Sequence, residues 1–315
     1  MSEAGDYDPG PWRGYDFKSA RKAYDVHVGR SYNDAVSRGQ TKKDLLEPSL
    51  ATESTAPLVV ACDVTGSMGE WSAVIFSKLP YLDLEGKEYL GDDMEISFAA
   101  VGDAYSDNYP LQVRKFSSGT DLEKRLKELV IEGNGGGQTQ ESYDLAALYY
   151  SRNVQMPKAI KPIFVFIGDE GLYDFVSPDQ ARDVVGVSLE GRVSSHDVVE
   201  ELKRKYAVYL VRKPYQDTGS DTPSAVDQRI QAQWESYLGA DHVAMLPQAG
   251  RVVDVIFGIL AKETSRIDYF RTELTGRQTP EQVKQVLKTL HTIHELPPPK
   301  SMKKLGGGKS VLRRP

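Results

Sequence analysis

The sequence predicts an α/β protein built on a doubly wound, Rossmann-like sheet that is six-stranded and mostly parallel. Short apolar runs of β type alternate with segments of helical spacing between about residues 57 and 262, and this alternation is typical of parallel sheets with helices on both faces. The runs at 58–62 and 163–167 are five residues long and continuously apolar, as expected for strands buried on both faces. In such sheets, ligands bind where loops leave the carboxyl ends of strands.

The predicted elements follow one another in a regular order. Strands are expected at 58–62, 95–101, 111–116, 163–167, 207–211 and 242–246. Helical spacing predicts helices at 70–79, 120–130, around 145–149, and at 198–206, 226–238 and 252–260. The turn-rich segment 102–110 joins two strands, so the third strand is predicted to be an antiparallel edge strand. Thr120 and Glu123 have the spacing of a helix capping box.

The flanks of this core differ from it in composition. Residues 1–56 are predicted to form a polar N-terminal extension that is partly helical or mobile, and residues 57–262 the main domain. A helical extension is expected at 263–296, because Thr279 and Pro280 form a strong helix start and the prolines at 297–299 stop it. Residues 297–315 combine glycines with lysines and arginines, which predicts a flexible basic tail.

Composition narrows the class of partner. The chain has 39 Lys and Arg against 45 Asp and Glu, a net charge of −6, so neither nucleic acid nor an anionic membrane is the expected partner. The apolar runs are too short to span a bilayer. Cys62 is the single cysteine and is expected in the core, and the acidic N-terminus lacks the pattern of a secretory signal. These features favour a cytoplasmic protein.

Oxygen donors follow the predicted strands at the same edge of the sheet. The first strand leads into a loop that carries a carboxylate and two hydroxyls at alternate positions, a threonine follows the glycine-rich segment 133–137, and an aspartate follows the strand 163–167. Mg²⁺ prefers such oxygen ligands. The sequence therefore predicts a magnesium site, with Mn²⁺ or Ca²⁺ as alternatives, formed by Asp63, Thr65, Ser67, Thr139 and Asp169. Asp103 is a weaker candidate for the rim of the same face.

These residues resemble the metal-ion-dependent adhesion site of the von Willebrand factor A family, which uses an Asp-x-Ser/Thr-x-Ser loop, a later Thr and a later Asp. The resemblance covers residues 57–262 and implies the von Willebrand factor A fold. It also implies that Thr65, Ser67 and Thr139 bind the metal directly, whereas Asp63 and Asp169 act through water.

The stretch 135–141 further resembles a subgroup with a Gly-Gly-Gly-Asp-x-Pro-Glu loop. The three glycines and Glu141 match that loop, whereas Gln138 and Gln140 stand where the subgroup has Asp and Pro. The threonine ligand is retained, but these two changes do not support transfer of the subgroup's partners to this chain.

The resemblance implies a non-enzymatic binding module that captures an acidic residue of a partner protein through the bound Mg²⁺. An ion ligated mainly by hydroxyls and water keeps unsatisfied positive charge, which recruits an Asp or Glu carboxylate. Intracellular members of the family often work with AAA+ ATPases or within multi-subunit assemblies, so such a partner is the expectation here.

A serine hydrolase is the alternative function. Residues 65–69 are similar to a Gly-x-Ser-x-Gly nucleophile elbow centred on Ser67, except that Thr65 stands at the first glycine position. Asp169 and then His196 or His242 follow in hydrolase order. A fluorophosphonate probe would label Ser67 only in the hydrolase, whereas EDTA would abolish function only in the metal-dependent module.

Overall fold

A six-stranded sheet forms the centre of the molecule. The computed structural model describes residues 39–68, 71–132, 139–216, 223–246 and 248–293. The strands of the sheet are Leu58–Asp63 (β1), Ile96–Val101 (β2), Leu111–Val113 (β3), Ile163–Gly168 (β4), Ala207–Arg212 (β5) and Val243–Met245 (β6).

The strand order explains where a ligand site can form. The order across the sheet is β6-β5-β4-β1-β2-β3, and every neighbouring pair is parallel except β2 and β3. The order changes direction between β1 and β4, because β2 lies on one side of β1 while β4 and β5 extend on the other. Such a reversal leaves a crevice at the carboxyl ends of the two central strands.

Helices enclose the sheet on both faces. They are Trp71–Lys78 (α1), Pro80–Leu90 (α2), Thr120–Lys127 (α3), Tyr143–Arg152 (α4), Ser195–Lys203 (α5), Ala225–Leu238 (α6), Val252–Glu263 (α7), Ile267–Arg277 (α8) and Pro280–Thr289 (α9). The side chains of β1 alternate between two apolar layers, with Val60 and Cys62 in one and Val59 and Ala61 in the other. Helices α1, α2, α3 and α7 to α9 pack in the first layer, and α4 to α6 in the second.

The strand predictions agree with the structure, apart from a shorter edge strand that ends at Val113. The antiparallel pairing of this edge strand is confirmed, and Cys62 is fully buried in the core as predicted. The capping box at Thr120 and Glu123 is wrong: α3 begins at Thr120, and Gly119 occupies the N-cap position with φ of 60°. Glycine adopts this left-handed backbone without a steric penalty.

One helix of the first layer was not predicted. The helix α2 contains Gly86 in its interior, and an interior glycine weakens a helix prediction. The glycine is explained by packing, because a Cβ atom there would lie 2.8 Å from the Met94 side chain.

Short strand pairs position the loops at the sheet edge. Gln140–Glu141 pairs in parallel with Gly171–Leu172, and Leu50–Ala51 pairs with Val154–Gln155. The predicted glycine-rich segment 133–137, residues 1–38 and the basic tail lie outside the described residues. In the part of the chain that is described, no helix is both long enough and apolar enough to cross a membrane.

Candidate metal centre

The loop after β1 is organised around the carboxylate of Asp63. Asp63 is the last residue of β1 and is fully buried. Its Oδ1 accepts hydrogen bonds from the Thr65 backbone N–H at 2.8 Å and from the Thr65 hydroxyl at 2.6 Å. Its Oδ2 accepts one from the Tyr143 hydroxyl of α4 at 2.7 Å. An Asp that bonds to the backbone two residues on is a common turn former, so this contact shapes the loop locally.

Ser67 joins this loop to the end of β4. The Ser67 hydroxyl lies 3.1 Å from the Thr65 hydroxyl and donates to Asp169 Oδ1 at 3.0 Å. Asp169 directly follows β4 and is fully buried. The hydrogen bonds therefore connect Asp63, Thr65, Ser67 and Asp169 into one group at the crevice between the two central strands.

Lys213 contacts the same group and was not singled out from the sequence. Its ammonium donates to Asp169 Oδ2 at 2.8 Å and to the Ser67 backbone carbonyl at 2.9 Å. Lys213 follows β5, so the rule that identified the aspartates, polar residues at the carboxyl ends of strands, would also have found it.

Thr139 lies at the same edge but outside the hydrogen-bonded group. Its backbone carbonyl accepts from the Gly171 N–H at 3.0 Å, two residues beyond Asp169. Its hydroxyl accepts from the exposed Arg229 guanidinium at 3.1 Å. The structure therefore joins four of the five predicted ligands and holds the hydroxyl of the fifth on an arginine, which the sequence did not indicate.

Further buried carboxyl groups surround the site. Glu141 and Glu170 are each about 3% exposed, and each has one oxygen, Oε2, without a hydrogen-bond partner in the described structure. Burial raises the pKa of Glu141 to about 12 and that of Glu170 to about 8. Burial and the neighbouring charge of Asp169 raise the pKa of Asp63 to about 7. Burial also raises the pKa of Asp169, although Lys213 opposes that rise.

Asp103, the weaker candidate, is already bound within the neighbouring loops. Its Oδ1 accepts from the Tyr173 hydroxyl at 2.9 Å and from the Tyr105 N–H at 3.1 Å. Its Oδ2 accepts from the Ser106 hydroxyl at 2.8 Å. These contacts give Asp103 a role in shaping the rim, next to the exposed ring of Tyr105.

The donor set suits a hard cation. Among the described residues, no three His, Cys, Asp or Glu side chains are placed to hold an ion together. The group at the crevice instead mixes hydroxyl with carboxylate oxygens, and Mg²⁺ accepts such ligands while keeping part of its water shell. The buried side chains of Glu141 and Glu170 lie close by, and their raised pKa values keep both largely protonated at neutral pH in the absence of a cation.

The histidines named for the hydrolase alternative make their described contacts elsewhere. His242 Nδ1 lies 2.7 Å from the Val208 carbonyl, and its ring stacks on Tyr209. The His196 ring packs against Tyr237 at 5.6 Å between centroids. Within the described contacts, the Ser67 hydroxyl therefore meets Asp169 and Thr65 and no histidine.

No protein-family model and no curated protein matches the chain. Its structure is similar to the pilus adhesin SpaC from Lactobacillus rhamnosus GG in the open conformation, at 10% sequence identity and a TM-score of 0.48, over 71% of this chain and 31% of the adhesin. Proximal thread matrix protein 1 from the mussel byssus is similar at 11% identity and a TM-score of 0.43, over 69% of this chain and 48% of that protein. The chain thus spans less than half the length of either protein, and similarity at this level supports no further conclusion.

Proposed function

We propose that the chain is a non-enzymatic binding module of the von Willebrand factor A type that holds Mg²⁺ at the crevice and captures an acidic residue of a partner protein. Mn²⁺ or Ca²⁺ would occupy the same oxygens. The proposal includes a doubly wound fold for residues 57–262, and the reversal of strand order between β1 and β4 supports it.

The spacing of two hydroxyl oxygens carries the proposal. In an octahedral Mg²⁺ site with bonds of about 2.0–2.1 Å, neighbouring ligand oxygens lie about 2.9 Å apart. The Thr65 and Ser67 hydroxyl oxygens are 3.1 Å apart. The Thr65 hydroxyl gives its hydrogen to Asp63, and the Ser67 hydroxyl gives its hydrogen to Asp169. The lone pairs of both oxygens are therefore available to one cation.

The charge around these hydroxyls supports the same function. Asp63 and Asp169 lie behind them and would hold the ion through water, so its direct ligands would be neutral and its charge only partly satisfied. A carboxylate from another protein supplies the missing negative charge. Thr139 would become a third direct ligand on release of its hydroxyl from Arg229, to which it is hydrogen-bonded at 3.1 Å.

The remaining expectations follow from this role. A cytoplasmic partner that presents an Asp or Glu, such as an AAA+ ATPase or a subunit of a larger assembly, would fit the module. The basic tail at 297–315 is a candidate for a second contact with that partner.

Affinity capture with the full chain as bait tests the proposal. Wild type and Thr139→Ala are used in Mg²⁺ and in EDTA, with Thr272→Ala as the matched control, because Thr272 is an exposed threonine on α8 whose hydroxyl donates to the Asp268 carbonyl of its own helix. We expect a partner that wild type and Thr272→Ala retain in Mg²⁺, and that EDTA or Thr139→Ala releases. Substituting the acidic residue of that partner by its amide should release it as well. Equal capture in all lanes would refute the proposal.

A fluorophosphonate probe separates this function from the hydrolase alternative. We expect no labelling of Ser67, because its hydroxyl donates to a carboxylate and not to a histidine. Labelling that Ser67→Ala removes would instead support the hydrolase.

A further inference from the structure

Lys213 places a positive charge where the proposed metal site has its buried carboxylate. We infer that Lys213 is an internal cation that competes with the divalent ion for Asp169 and thereby sets the metal affinity of the site. This inference rests on the proposed function, because it names how that same site is regulated.

The position of the ammonium is fixed by the fold. The Lys213 backbone N–H donates to the Gly168 carbonyl at 2.8 Å and continues the pairing of β5 with β4. The side chain is 15% exposed, and its Nζ lies 6.0 Å from the centre of the Trp71 ring. Two hydrogen bonds, to Asp169 Oδ2 at 2.8 Å and to the Ser67 carbonyl at 2.9 Å, then hold the charge at the metal-binding loop.

The neighbouring arginine, Arg212, pairs with a carboxylate outside the candidate metal site. Arg212 is fully buried and forms an ion pair with Asp227. Asp227 also accepts hydrogen bonds from the Tyr215 N–H at 2.8 Å and from the Ser224 hydroxyl at 2.9 Å. In the described part of the chain, Lys213 is therefore the basic side chain that contacts the group formed by Asp63, Thr65, Ser67 and Asp169.

The competition follows from charge. With Lys213 in place, Asp169 is partly neutralised and attracts a second cation less strongly. Without the ammonium, Asp169 would be a buried carboxylate with a hydroxyl as its remaining side-chain partner, which destabilises the metal-free protein. A divalent ion would then restore the lost charge, so the same substitution should weaken the metal-free fold and strengthen metal binding.

The test compares three variants of the full chain with wild type. Lys213→Met keeps the aliphatic stem without the charge, Lys213→Gln keeps a hydrogen-bond donor without the charge, and Lys213→Arg keeps the charge. Melting temperatures are measured in EDTA and in Mg²⁺, and Mg²⁺ binding is measured by calorimetry. We expect Met and Gln to lower the melting temperature in EDTA, to enlarge its rise on adding Mg²⁺, and to lower the Kd for Mg²⁺ on the order of ten-fold. Arg should behave like wild type.

The outcomes separate this inference from the proposed function. If wild type binds Mg²⁺ and the Met and Gln variants lose the same melting temperature with and without it, Lys213 is purely structural and the inference is overturned. If no protein in the series binds Mg²⁺, the proposed function fails and the inference fails with it. Binding in the Met and Gln variants alone would support the competition and refute metal binding by wild type. The Gln variant decides between these outcomes if the Met variant does not fold.

Discussion

Two regions of this molecule bury ionisable side chains, and they differ in how the charge is balanced. In the first, Arg212 and Asp227 form a one-to-one pair beneath the start of α6. Burial raises the pKa of Asp227, but the hydrogen bonds from Tyr215, Ser224 and Arg212 outweigh it and leave the pKa below its usual value. Each charge in this pair has its counter-ion within the fold.

The second region is the crevice between β1 and β4, where carboxyl groups outnumber cations. Asp63, Asp169, Glu141 and Glu170 are buried there, and the described contacts place the basic side chain of Lys213 on one of them, Asp169. Burial raises the pKa of each of these four carboxyl groups. The balanced pair therefore keeps its carboxylate ionised, whereas the crevice disfavours ionised carboxylates unless a further cation offsets their charge.

The largest expected effect is the loss of the balanced pair. Arg212→Met should lower the free energy of unfolding by about 3–5 kcal/mol, because it leaves Asp227 buried without its counter-ion. Denaturant unfolding in EDTA and in Mg²⁺ measures this loss, which should be the same in both. If Mg²⁺ restored the free energy of unfolding that Arg212→Met loses, the Arg212–Asp227 pair would not be independent of the crevice.

The next effect is stabilisation by metal. Mg²⁺ at a hundred times its Kd should raise the free energy of unfolding of wild type by about 2.7 kcal/mol. Asp63→Asn should abolish the rise, because Asp63 accepts the hydrogen of the Thr65 hydroxyl and carries charge behind the site. Denaturant unfolding at matched ionic strength measures the rise in the free energy of unfolding on adding Mg²⁺. If Asp63→Asn showed the same rise as wild type, Asp63 would not contribute to metal binding.

The contribution of Asp63 to the pH dependence of the metal-free protein should be smaller. The pKa of Asp63 is about 7 in the folded protein against 3.8 for the free side chain, so the folded state binds more protons than the unfolded state between these values. Titration of Asp63 should therefore lower stability in EDTA as pH rises from 5 to 7, on the order of 1–2 kcal/mol, and the fall should continue above pH 7, where Glu170 and Glu141, with pKa values of about 8 and about 12, still hold protons. Unfolding at a series of pH values checks this, with a flatter profile expected for Asp63→Asn. Stability that rises over this range would contradict the account.

The smallest effect is expected at the exposed arginine. Arg229→Ala removes a hydrogen bond to the Thr139 hydroxyl at the surface and should change the free energy of unfolding by less than about 0.5 kcal/mol. The same denaturant experiment compares it with Arg212→Met. If Arg229→Ala lowered the free energy of unfolding as much as Arg212→Met does, the difference in exposure between the two arginines would not explain their contributions to stability.

The residues themselves explain how far the sequence could predict this protein. The strands were predictable because β1 and β4 are continuous apolar runs, and the positions of Asp63 and Asp169 followed because the carboxyl ends of parallel strands share one edge. The contact between Thr139 and Arg229 joins residues 90 positions apart. It depends on how α6 packs beside the loop, which no local pattern records.

The contact of Lys213 and the excess of buried carboxyl groups at the crevice could not be predicted from the sequence. Lys213 lies at a strand end like the two aspartates, but its contact with Asp169 depends on the pairing of β5 with β4. The excess of buried carboxyl groups likewise appears only once Glu141 and Glu170 are brought together by the pairing of Gln140–Glu141 with Gly171–Leu172.

Calorimetric titration of the full chain with Mg²⁺ tests the central claim most directly. The comparison is wild type, the double variant Thr65→Val, Ser67→Ala, and the remote control Thr272→Val, Ser236→Ala, whose hydroxyls bond within helices at the surface. We predict one Mg²⁺ bound by wild type and by the control, and none by the double variant at the crevice. Absence of binding by wild type, or equal binding by all three proteins, would contradict the account.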